Sequence, residues 1–111
     1  MKMYGIPNCN TIKKAKDALT AKGIGFEFHN YKKDGMDKQT LQNWVKQVGW
    51  EVLLNRRGTT FRQLSDTDKA NIDESKAIAL MLAHPSMIKR PVLDTGDKII
   101  VGFDEAVYAA L

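Results

Sequence analysis

Cysteine occurs once in this 111-residue chain, at Cys9, and proline only three times. A lone cysteine cannot close an internal disulfide, so the fold needs no oxidising compartment. It also rules out the Cys-x-x-Cys pair of dithiol oxidoreductases, because position 12 is Ile. With two histidines, His29 and His84, and no second thiol, no structural metal site is expected. No hydrophobic run is long enough to serve as a signal peptide or a membrane span, so we expect a cytoplasmic protein with no membrane partner. Zinc-finger spacing, interleaved aromatic and basic residues and basic heptads are all missing, so nucleic acid is not an expected partner. Repeats, linkers and low-complexity tracts are absent too.

The charge that is present is unevenly placed. The formal net charge is +4. Residues 1 to 33 hold seven lysines and two acidic groups, giving +5, whereas the remainder sums to −1. The positive excess surrounds Cys9 and favours a small anionic ligand.

The hydrophobic pattern divides the chain into elements. Lys2 to Gly5 reads as a strand closed by Pro7. Asn10 to Lys22 follows as a helix, with Ile12, Ala15, Ala18 and Leu19 on one face and Gly23 as its stop. Gly25 to Tyr31 alternates and suits a second strand, parallel to the first in a βαβ unit. Asp37 to Val48 is helical, with Asp37 as N-cap, Leu41, Trp44, Val45 and Val48 as its apolar face, and Gly49 as the interruption. Asp73 to His84 repeats the pattern, with Asp73 as cap, Ile72 as staple, and Ala77, Ile78, Met81 and Leu82 as the buried stripe. Pro91 to Leu93 and Lys98 to Val101, joined through "DTGD", read as a hairpin. A last helix is expected from about Asp104 to Leu111, with Phe103, Val107 and Leu111 on one side. The expected fold is α/β and thioredoxin-like: a four-stranded mixed sheet (β-α-β, then β-β-α) in a single domain, 1–111. A helical insertion at about 37–84 separates its two halves.

A thiol attacks only as thiolate, and an ordinary cysteine is mostly protonated at neutral pH. In "YGIPNCNTIKK" the turn residues Gly5 and Pro7 hold Cys9 at the start of a helix. Unpaired N–H groups converge there and the helix dipole is positive. Lys13 lies one turn further on, on the same face. The sequence therefore predicts a lowered pKa for Cys9 and a ligand site at Asn10, Thr11 and Lys13. A single thiol cannot resolve its own adduct, so an outside thiol is required, with glutathione as the expected co-substrate.

Three segments, "GIPNCNTIKKA", "LLNRRGTTFRQL" and "MLAHPSMIKRPVL", in this order and spacing, resemble the arsenate reductase-like (ArsC/Spx) family of thioredoxin-fold proteins, and within it the YffB subgroup. The resemblance runs over essentially the whole chain. It implies that Cys9 is the nucleophile, that Arg90 and the pair Arg56 and Arg57 help bind an anion, and that Pro91 is a cis-proline. Two positions depart from the reductases: Asn55 stands where they carry an arginine, and Gly102 stands near the place of another. Each missing guanidinium weakens oxyanion specificity, so the resemblance implies glutathione or another thiol substrate ahead of arsenate. The expected protein is a monomeric, glutathione-dependent thiol reductase with no bound cofactor. Its Cys9 would form a mixed disulfide or a thiol–oxyanion adduct, with glutaredoxin as a further partner. The alternatives within the resemblance are an Spx-like regulatory module that contacts RNA polymerase and a member that has lost activity.

Overall fold

In the computed structural model, which describes residues 1–111, four short strands form one mixed sheet in the order β2-β1-β3-β4. They are β1 (Lys2–Gly5), β2 (Glu27–Asn30), β3 (Val92–Asp94) and β4 (Ile99–Val101). Strand β1 runs parallel to β2, with Met3 opposite Phe28, and antiparallel to β3, with Tyr4 opposite Val92. The β3–β4 hairpin turns at Gly96, whose φ of +97° suits glycine and whose N–H donates to Asp94 Oδ1 at 2.9 Å.

The crossover from β1 to β2 is the helix α1 (Asn10–Ala21). Its residues Ile12, Ala15 and Leu19 recur at helical spacing and are buried with Met3 and Leu93 of the sheet. The helix stops in a Schellman turn: Gly23 at φ +71° donates to the Thr20 carbonyl, and Ile24 N–H reaches back to Leu19. The closing helix α8 (Glu105–Ala109) follows the N-cap Asp104, whose Oδ1 accepts from Ala106 and Val107 N–H. Of the expected face, Phe103 and Leu111 pack against the core, but the middle residue differs. Val107 is exposed, and Tyr108 is the residue buried among Met3, Ile12 and Leu19. One turn of helix has too little periodicity to reveal its inner side; packing against α1 decides it.

These elements form one compact unit, Met1–Asp34 together with Arg90–Leu111. Gly35–Lys89 forms a second, a helical insertion somewhat longer than 37–84. Inside it, α3 (Lys38–Val48) buries Leu41, Trp44 and Val45, and α7 (Glu74–Ala83) buries Ala77 and Met81, with Ile78 and Leu82 half-buried. Asp37 and Asp73 cap these helices, accepting from Thr40 and Lys76 N–H at 2.9 Å each. Between them lie three single-turn helices that the sequence does not predict: α4 (Trp50–Leu53), α5 (Thr59–Arg62) and α6 (Asp66–Lys69). A 3₁₀ turn at Pro85–Met87 leads into a bridge between Leu54 and Ile88. No helix is long and apolar enough to cross a membrane. The sheet order, the parallel β1–β2 crossover and the terminal hairpin and helix make the fold thioredoxin-like and α/β, as expected.

Candidate active site

The loop after β1 brings the thiol to the carboxyl end of the strand. Gly5 sits against the first turn of α1, where a Cβ would collide with Ile12 Cδ1 and come within 3.1 Å of its Cγ1. Glycine lets strand and helix approach this closely without displacing the Ile12 side chain. Asn8 then adopts φ +64°, a left-handed conformation that asparagine tolerates better than most residues. This turn sets half-buried Cys9 as the N-cap of α1, with extended dihedrals of φ −101° and ψ 130°.

The Cys9 carbonyl accepts the first helical hydrogen bond, from Lys13 N–H at 3.0 Å. The side chain completes no capping hydrogen bond as a thiol, yet its setting favours the thiolate. Partial burial pushes the Cys9 pKa up, but the N–H groups of Ile12 and Thr11 and the guanidinium of Arg90 outweigh it. The net direction is downward. The helix start therefore acts as the sequence predicts, and Arg90 supplies the positive side chain. Lys13 is exposed, and the groups that act on the sulfur are others. Asn10 is also exposed, and Thr11 acts on the sulfur through its backbone N–H.

Arg90 arrives from far along the chain. Val92 pairs with Tyr4, so the residues just before β3 stand beside the end of β1 where the cysteine loop begins. The Arg90–Pro91 peptide is cis, in keeping with the resemblance. Pro91 is buried, and its carbonyl accepts from Gly102 N–H at 2.7 Å. Gly102 has φ +81°, so an arginine in its place would be strained.

Arg56 and Arg57 belong to the inserted unit. Arg56 lies over the Trp50 ring at 5.4 Å, and Arg57 N–H donates to Asn55 Oδ1 at 3.1 Å. Asn55 thus shapes the turn between α4 and α5; its own N–H donates to the Met87 carbonyl at 2.7 Å. The residues that act on the Cys9 sulfur are Thr11, Ile12 and Arg90. A groove of about 650 Å³ between α1 and α8, lined by Lys14, Asp17, Phe103 and Tyr108 among others, includes none of them. No cluster of His, Cys, Asp and Glu could hold a metal.

One neighbour of Arg90 escaped the sequence reading. Tyr31 lies beyond the end of β2, in the single turn α2 (Tyr31–Asp34), and the Arg90 charge acts on its phenol. The strand ends at Asn30 because the Asn30 side chain accepts from Lys32 N–H at 2.9 Å and turns the chain. The signal available in the sequence was that asparagine before a charged run.

Residues 4–111 match the model of the ArsC family. A solved YffB protein is 50% identical, with a TM-score of 0.95 over 98% of this chain and 96% of that one. An arsenate reductase (ArsC)-related protein from Brucella melitensis is 52% identical, with a TM-score of 0.77 over 98% of this chain and 91% of that one. The global transcriptional regulator Spx of Lactiplantibacillus plantarum is 27% identical over 107 residues, 93% of this chain and 79% of its own length.

Proposed function

The chain belongs to the ArsC family, and from that premise we propose that it is a glutathione-dependent thiol reductase in which Cys9 is the only nucleophile. The observation that carries the reading is a thiol drawn toward its ionised form by Ile12 and Thr11 N–H and by Arg90. The Cys9 thiolate attacks one sulfur of a mixed disulfide between glutathione and a substrate. A Cys9–glutathione disulfide forms and the substrate leaves as its thiolate. A second glutathione thiolate then attacks that disulfide, freeing Cys9 and releasing oxidised glutathione. Over the two steps, the mixed disulfide and one glutathione thiol become the substrate thiol and oxidised glutathione, so the substrate sulfur is reduced as the two glutathione sulfurs are joined. Glutaredoxin is a second acceptor for the adduct.

An arsenate-type oxyanion takes second place. It would give a thiol–oxyanion adduct, but Asn55 and Gly102 stand where the resemblance calls for arginines, and a bidentate oxyanion cradle loses hold with each one missing. Glutathione needs only a thiolate, an anion partner and an outside thiol. The Spx relatives support a different reading, a regulatory module that contacts RNA polymerase. Against it stands the redox pair: Ile12, buried in the core, occupies the position of the second cysteine. The protein is read as a cytoplasmic monomer with no resident cofactor.

Intact mass after incubation with oxidised glutathione, together with the pH profile of Cys9 alkylation by iodoacetamide, tests the proposal. A single adduct absent from Cys9→Ser, and an alkylation midpoint below that of free cysteine, are expected. A thiol that alkylates only at the ordinary value of about 8.5 and takes up no glutathione would end it. Should Cys9→Ser and wild type alike capture the carboxyl-terminal domain of the RNA polymerase α chain, the regulatory reading would be favoured.

A further inference from the structure

Tyr31 is 2% exposed and its hydroxyl has no hydrogen-bond partner. A phenylalanine would fill the same space without stripping a hydroxyl of its water, so a polar atom here calls for an acceptor that arrives with a ligand.

Its place in the fold says which acceptor. Gly5 pairs with Asn30, which sets Tyr31 one residue past the end of β2, level with the loop that leaves β1 for Cys9. Tyr4 pairs with Val92, which sets Arg90 at the same edge. Three stretches of chain thus deliver a thiol, a guanidinium and a phenol to one end of the sheet, and the Arg90 charge acts on both Cys9 and Tyr31. The phenol is fixed by neighbouring rings, with Tyr4 at 6.3 Å and His29 at 6.1 Å between centroids. Burial and Tyr4 hold it firmly protonated against the pull of Arg90, so it is a donor at every pH the protein meets. A donor beside a cation suits an oxygen that carries negative charge, and low exposure strengthens such a bond.

We propose that the Tyr31 hydroxyl donates a hydrogen bond to an anionic ligand oxygen paired with Arg90, making Tyr31 a specificity-determining residue of the thiol site. This rests on the Cys9 site being a ligand site, as proposed above. A tetrahedral oxyanion and the carboxylate of a thiol peptide both present such an oxygen. Neutral thiol substrates gain nothing from it.

The test is protection of Cys9 against iodoacetamide by inorganic phosphate and, separately, by S-methylglutathione, in wild type and Tyr31→Phe. Thermal midpoints are measured alongside. Tyr31→Phe is expected to melt at or above the wild-type temperature, yet to need about tenfold more ligand for half-protection, the loss of one charge-assisted hydrogen bond. Protection by phosphate alone identifies an oxyanion site; protection by S-methylglutathione alone identifies a carboxylate site. Equal half-protection in the two proteins overturns the inference, and so does a wild type that neither ligand protects. The glutathione adduct on Cys9, read by mass, reports on the thiol chemistry independently of both results. Should Tyr31→Phe not fold, the ¹³Cζ resonance of Tyr31 in the wild type replaces it. That resonance is expected to move on titration with the protecting ligand, and a stationary one refutes the hydrogen bond.

Discussion

Replacing Gly5 with alanine drives a methyl group into Ile12 Cδ1, and the cost follows from what surrounds the clash. Ile12 is 2% exposed and packs with Met3, Leu19 and Leu93, so its side chain has no solvent to retreat into. The new methyl would also stand 3.1 Å from Ile12 Cγ1 and 3.7 Å from Phe28 Cε1. Overpacking of this kind costs about 1 to 3 kcal/mol. Alanine recovers roughly 0.4 to 1 kcal/mol by restricting the unfolded chain. A net loss of about 1 to 2 kcal/mol lowers the melting temperature by roughly 5 to 10 °C for a chain of this size. The companion substitution Ile12→Val removes the very atom that collides. By itself it costs about 0.5 to 1.5 kcal/mol; combined with Gly5→Ala it is expected to relieve most of the clash. A double-mutant cycle by urea denaturation should therefore show the pair more stable than the sum of the singles. Because Ile12 N–H acts on the sulfur, Gly5→Ala should also slow Cys9 alkylation, and the pair should restore it. Strict additivity would refute the account of why glycine stands at position 5.

Arg90→Gln should slow Cys9 alkylation at pH 7 about fivefold, since a charge-assisted hydrogen bond loses part of its worth at a half-exposed thiol and about 1 kcal/mol remains; an unchanged pH profile would remove Arg90 from the site. The Cys9 pKa lies below its unfolded value, so its stabilising contribution is present above the unfolded pKa and is lost as pH falls through the folded one. Stability measured from pH 9 downward should accordingly fall further in wild type than in Cys9→Ser. Burial raises the Tyr108 phenol to about 12, so it contributes stability below its unfolded pKa that disappears as pH rises through about 12. Tyr108→Phe should flatten that alkaline limb, as read by denaturation above pH 10. Asp104→Ala removes an acceptor for two N–H groups at the start of α8 and should cost about 1 kcal/mol by thermal melting, whereas Asp104→Asn should cost much less.

The parts of this fold legible in the sequence are those built from near neighbours. The α1 stripe of Ile12, Ala15 and Leu19, the caps Asp37 and Asp73, and the stops Gly23 and Gly49 each announce themselves within a few residues. The single-turn helices do not, because four residues hold no period and tertiary contacts fix them. Phe61, for example, is the one buried residue of α5. The site divides along the same line. Cys9 at a helix start is a local fact and can be read directly, as can the lysine one turn on, which the structure leaves exposed. The position of Arg90 depends on β1–β3 pairing and came only through the family resemblance. Tyr31 was hidden by a strand assigned one residue too long, ended in the structure by the Asn30 side chain.

The register that lays Val92 beside Tyr4 spans most of the polypeptide. Of the groups that tune the sulfur, two amides belong to the first turn after it, but the guanidinium comes from a segment that can dock only once the 55 residues from Gly35 to Lys89 have been made. The setting that lowers the Cys9 pKa is therefore complete only once the closing hairpin has been made and docked.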